Sequence, residues 1–82
     1  MESPQFGTLL WQQEEGILRL TLNRPKRLNA FNAKMFRELD QALIAAADRN
    51  EIRVIILTGA GRAFSSGADL ADVSQYHSEA EG

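Results

Sequence analysis

The chain has 82 residues, no cysteine and a formal net charge of −2, which allows one small domain and excludes a disulfide framework or a thiolate metal site. Acids and bases are interspersed, so there is no electrostatic case for nucleic acid or an anionic membrane. No apolar run approaches the ~20 residues of a membrane span, and Met1-Glu2-Ser3-Pro4-Gln5 has neither the basic head nor the apolar core of a secretion signal, so the expected compartment is the cytoplasm.

Residues 1–8 read as a loose lead-in. Leu9–Gln13 is expected to be a short edge strand. Glu15-Gly16 follows as a tight turn. Ile17–Leu22 alternates, with Leu18, Leu20 and Leu22 on one face and Ile17, Arg19 and Thr21 on the other. The two strands are expected to pair antiparallel. Asn23-Arg24-Pro25-Lys26 must then leave the sheet, because Pro25 has no N–H for a ladder and restrains Arg24. A helix is expected over Ala33–Arg49, capped by Asn32. Met35, Phe36, Leu39, Ala42, Leu43 and Ala46 recur at spacings of three and four and form its apolar stripe.

Arg53–Thr58 is the next strand. Its core, Val54-Ile55-Ile56-Leu57, is an unbroken apolar run rich in β-branched residues, which reads as a strand buried on both faces. Strand, helix, strand with a crossover of this length is a right-handed βαβ unit with parallel strands. One helix covers one face of the sheet, and nothing else in the sequence supplies a second layer. The apolar run therefore asks for more protein.

Gly59-Ala60-Gly61 ends that strand, and Ser65-Ser66-Gly67-Ala68 makes a second small-residue turn before Asp69-Leu70. Ligands of α/β proteins sit beyond the carboxyl ends of strands, where this segment lies. Two phosphate motifs fail here. The dinucleotide fingerprint needs a glycine where Phe64 stands, and a P-loop needs Lys and Ser or Thr where Ala68 and Asp69 stand. His77, the single histidine, belongs to a polar tail and reads as solvent-exposed.

Two segments resemble the crotonase family, the enoyl-CoA hydratases and isomerases. They are Leu22-Asn23-Arg24-Pro25-Lys26-Arg27-Leu28-Asn29-Ala30 and Leu57-Thr58-Gly59-Ala60-Gly61-Arg62-Ala63-Phe64-Ser65-Ser66-Gly67-Ala68-Asp69-Leu70. The resemblance runs from about residue 16 to residue 70 and covers the front third or so of a typical member. It implies an α/β, crotonase-like (ClpP/crotonase) ββα-spiral fragment: an antiparallel hairpin followed by the βαβ unit. Residues 1–82 would then be the N-terminal part of an incomplete domain.

The resemblance also implies the chemistry. An acyl-CoA thioester is the expected partner, with CoA part of the substrate and no metal or redox cofactor. Lys26 and Arg27 would meet CoA phosphate and Leu28 would line the adenine side. Ser66, Gly67, Ala68, Asp69 and Leu70 would also line CoA. The backbone N–H of Ala68 would be half of an oxyanion hole for a thioester enolate, most simply in hydration of a 2-enoyl-CoA. The catalytic glutamates and the second oxyanion donor come later in full-length members, so this chain alone is expected to be inactive. Members are commonly trimers or hexamers, so a homo-oligomer is expected of the full-length form. Three positions depart from the common pattern: Phe31 and Ser66 stand where Leu and Ala are frequent, and Ala71-Asp72-Val73 carries no lysine. A reading from another class is a non-catalytic module that binds CoA-like ligands or assembles with its own kind.

Overall fold

The computed structural model describes residues 3–69. Strands β1 (Leu9–Glu14) and β2 (Ile17–Leu22), helix α1 (Ala33–Ala47) and strand β3 (Val54–Gly59) follow in that order. They form a three-stranded sheet with β2 in the middle. β1 pairs antiparallel with β2, from Leu9 opposite Leu22 to Glu14 opposite Ile17. β3 pairs parallel with β2, from Ile17 beside Val54 to Leu22 beside Gly59. The hairpin turns on Glu15 and Gly16, both at positive φ (49° and 81°). Two such residues match the right-handed twist of the strands they join.

The period-two pattern of β2 is realised in the fold. Leu18, Leu20 and Leu22 are fully buried and pack with Leu9 under α1. Burial of large aliphatic side chains contributes roughly 1.5–3 kcal/mol each and is the main force holding helix to sheet. Asn32 caps the helix, its side chain accepting from the Met35 N–H at 2.9 Å. The helix ends at Ala47 rather than Arg49. Its core stripe is also narrower than the sequence pattern. Met35, Ala42 and Ala46 are buried, whereas Phe36 and Leu43 are exposed. Phe36 instead packs against Phe31, the rings tilted by 42° with centroids 4.9 Å apart.

Two further expectations are corrected. Residues 3–8 are not all loose: Thr8 is buried, and the Glu38 carboxylate accepts from the Gly7 N–H, the Thr8 N–H and the Thr8 hydroxyl. The run Val54–Leu57 is not buried within the described residues. β3 is an edge strand, and Val54, Ile55, Ile56 and Leu57 are all at least 36 % exposed. The helix packs over β1 and β2, so both faces of β3 stay open, as an apolar run lacking its second layer must.

Candidate functional site

The two motif segments meet beyond the carboxyl ends of β2 and β3. Pro25–Arg27 forms one turn of 3-10 helix with Pro25 at its start, where no N–H is needed. Leu28 and Asn29 follow at positive φ (51° and 54°), turning the chain back. Asparagine tolerates this region because its short polar side chain can bond locally.

Asn29 joins the two segments. It is fully buried. Its Oδ1 accepts from the Arg24 N–H at 2.8 Å, and its Nδ2 donates to the carbonyls of Ala60 (2.9 Å) and Ala63 (2.8 Å). Its own carbonyl accepts from the Ser65 hydroxyl at 2.8 Å. Gly59 makes the return possible. A Cβ there would collide with the carbonyl oxygens of both Ala63 and Phe64. Only a residue without a side chain lets the turn fold back so closely on the strand end.

The run 66–69 then lies beside 28–31. The Ser66 N–H donates to the Leu28 carbonyl (2.9 Å), and the Gly67 N–H to the Ser65 Oγ (3.0 Å). Phe31 forms a parallel bridge with Ala68: its N–H donates to the Gly67 carbonyl, and its carbonyl accepts from the Asp69 N–H, both at 2.8 Å. This bridge orients the amide between Gly67 and Ala68. In a trans peptide the C=O and N–H point in opposite directions. With the Gly67 carbonyl turned to Phe31, the Ala68 N–H is turned away from it. Among the described residues the amides of 66, 67 and 69 are all engaged, and no acceptor meets that of Ala68. Ala68 is exposed, and a Cβ on Gly67, at φ +102°, would meet no atom within 4 Å.

Charge is gathered behind this amide. The Asp69 carboxylate is nearly buried and lies 3.4 Å from the Arg24 guanidinium and 3.6 Å from that of Arg27. Arg24 also donates to the Ala30 carbonyl. A buried carboxylate needs such partners to offset its lost hydration.

Of the residues singled out from sequence, the fold draws together Arg27, Leu28, Ser66, Gly67, Ala68 and Asp69. Lys26 stands exposed on the same 3-10 turn. Leu70, Ala71-Asp72-Val73 and His77 lie outside the described residues. Sequence reasoning did not single out Asn29, Arg24 or Ser65. The signal for Asn29 was its position after a proline turn, where a left-handed residue is needed. A concavity of 570 Å³, lined by Gln12, Glu14, Ile17, Arg19 and Ile56 among others, sits at the hairpin end of the sheet, away from Ala68. It has no arrangement of groups resembling a reaction centre. Among the described residues no cluster of three His, Cys, Asp or Glu side chains could hold a metal ion, and no helix is long and apolar enough to cross a membrane.

A family model described as enoyl-CoA hydratase/isomerase matches residues 12–82. The chain belongs to the enoyl-CoA hydratase/isomerase family. A protein of Rhodobacter capsulatus named "Probable enoyl-CoA hydratase" is 49% identical over 67 residues, covering 82% of this chain and 25% of the relative. A 1,2-epoxyphenylacetyl-CoA isomerase of Escherichia coli is 47% identical over 64 residues, 78% of this chain and 24% of the relative. The crystal structure of an enoyl-CoA hydratase/isomerase from Xanthobacter autotrophicus Py2 superposes with a TM-score of 0.80 at 37% identity, over 92% of this chain and 27% of that one. The α/β fold is thus the crotonase fold over its front part. The chain spans about a quarter of the length of the curated relatives it matches.

Proposed function

We propose that this chain forms the front of an acyl-CoA enzyme, binding the CoA thioester and supplying one donor of an oxyanion hole. The observation that carries the proposal is the outward-turned amide of Ala68, which meets no acceptor among the described residues, in a run whose other amides are engaged. A thioester oxygen accepting from this N–H gains negative charge as a nucleophile adds to the acyl chain or a proton leaves it. The Gly67 carbonyl already accepts from Phe31, which polarises the same peptide and strengthens its N–H as a donor. One pre-aimed donor of this kind is worth about 2.7–4 kcal/mol of transition-state stabilisation. The reaction the family suggests most simply is hydration of a 2-enoyl-CoA, in fatty-acid or related acyl-CoA metabolism in the cytoplasm.

Lys26 and Arg27 would hold CoA phosphates and Leu28 the adenine side, with Ser66, Gly67, Ala68, Asp69 and Leu70 also lining CoA. The Arg27 side chain is 62% exposed although it pairs with Asp69, so its guanidinium stays open to a phosphate at the rim. No metal or redox cofactor enters the chemistry. The exposed β3 calls for further protein to cover its two faces, from a C-terminal part or from partner subunits, and the family resemblance implies a trimer or hexamer for the full-length form.

The test is a titration of the chain with butyryl-CoA. Binding that weakens on Lys26→Ala and Arg27→Ala, by about 1.5–3 kcal/mol for each charge-assisted hydrogen bond removed, supports the reading. Equal affinity of wild type and double variant removes the phosphate part of it. With a 2-enoyl-CoA the chain alone should give no turnover above background, and clear turnover would refute the assignment of the acid and base to later residues.

A further inference from the structure

The Gly67 amide lies one residue before the proposed oxyanion donor, and what silences it is a side chain. The Ser65 hydroxyl accepts from the Gly67 N–H at 3.0 Å and donates to the Asn29 carbonyl at 2.8 Å. A hydroxyl has one proton to give and lone pairs to receive, so one group serves both bonds. The Asn29 end of this bridge is fixed, because the Asn29 side chain is fully buried and has both its oxygen and its nitrogen engaged. Gly67 itself is the softest point of the run. At φ +102°, and with no described atom within 4 Å of where a Cβ would sit, no side-chain packing restrains its torsions from that side. Among the described residues, the peptides on either side are held by hydrogen bonds: the following one by Phe31, the preceding one by Ser65.

We propose that Ser65 is a positioning residue that selects Ala68 as the oxyanion donor, by engaging the competing Gly67 N–H and fixing the peptide before Gly67 to the buried Asn29. The inference rests on the reading that the Ala68 N–H receives the thioester oxygen. Ser65 touches neither substrate nor reacting atoms. It acts through two main-chain groups, and its replacement should change which amide binds the ligand and leave the CoA end unaffected.

The experiment uses the ¹⁵N-labelled 82-residue chain, titrated with butyryl-CoA and, as a control lacking the thioester carbonyl, with CoA. In wild type, the shift that butyryl-CoA produces beyond that of CoA should fall on the Ala68 amide and not on the Gly67 amide. In Ser65→Ala the shift should leave Ala68 or be shared with Gly67, with the affinity for CoA unchanged. Ser65→Thr, which keeps the hydroxyl, should restore the wild-type pattern. A purely structural role would lower stability without moving the response from one amide to the next. If Ser65→Ala remains folded and shifts Ala68 alone, as in wild type, the inference about Ser65 is overturned while the functional reading stands. If the wild-type Ala68 amide does not respond to butyryl-CoA, the functional reading fails and the inference falls with it.

Discussion

Replacing Asn29 with alanine is the severest test of how the site is assembled. The substitution removes one acceptor and one amide group that bonds twice, leaving the Arg24 N–H and the carbonyls of Ala60 and Ala63 without their partner. Each polar group orphaned away from water costs about 1–3 kcal/mol. All three belong to half-buried residues that water can partly reach, so the low end applies and the sum is on the order of 3 kcal/mol. Alanine at φ +54° adds roughly 1 kcal/mol that asparagine mostly avoids. The total, about 4 kcal/mol, rivals the whole stability of a domain this size, which at 0.05–0.15 kcal/mol per residue is about 4–12 kcal/mol. Urea unfolding followed by Trp11 fluorescence and far-ultraviolet dichroism should therefore show a large fall in midpoint or no folded baseline. Asn29→Gly separates the terms, since it keeps the turn conformation and loses only the hydrogen bonds. A loss below about 1 kcal/mol in Asn29→Ala would refute the view that this side chain holds the two segments together.

Gly59→Ala should be at least as disruptive as ordinary overpacking, about 1–3 kcal/mol, because the atoms a Cβ would strike are main-chain carbonyls that cannot swing aside; thermal unfolding measures it, and a melting temperature equal to wild type would contradict the close approach. Glu38 sets a pH dependence. Burial opposes its ionisation, but the Thr8 hydroxyl, the Gly7 and Thr8 amides and the Lys34 charge outweigh that and hold its pKa below 4.5. A carboxyl depressed in the folded state adds stability above its unfolded value and loses it as pH falls through the folded one. Glu38→Gln should therefore lower stability at neutral pH and flatten the decline below pH 4.5 in pH-resolved melts. An unchanged slope would dissociate Glu38 from the docking of residues 7 and 8. Leu20→Ala should cost about 2–5 kcal/mol, as a fully buried leucine does. Ile56→Lys, at a position 36 % exposed on the uncovered edge strand, should cost little in the same thermal unfolding. Equal destabilisation by the two would mean that β3 is covered after all.

The strands, the hairpin, the helix and the parallel return were legible because each depends on local pattern. Period two in Ile17–Leu22, the Asn32 cap and the apolar Val54–Leu57 run carry their conformations in a few adjacent residues. The two motifs also placed the site near Ala68 by resemblance. What was not legible was how the motifs touch. Asn29 and Ser65 are separated by 36 positions, and nothing in either neighbourhood announces the bond between them. Phe36 and Leu43 read as core by spacing, but which part of a wide apolar stripe is buried depends on how the helix is rotated over the sheet.

Sequence alone determined the elements, their order and the kind of residue at each turn, since these follow from backbone sterics and side-chain periodicity within a few residues. Tertiary structure alone decided which amide of the 66–69 run is left outward. That outcome depends on the partners of its neighbours: Ser65 is local, but Leu28 and Phe31 are brought alongside by the fold, and hydrogen-bond pairing between distant segments is a property of their meeting and not of either one.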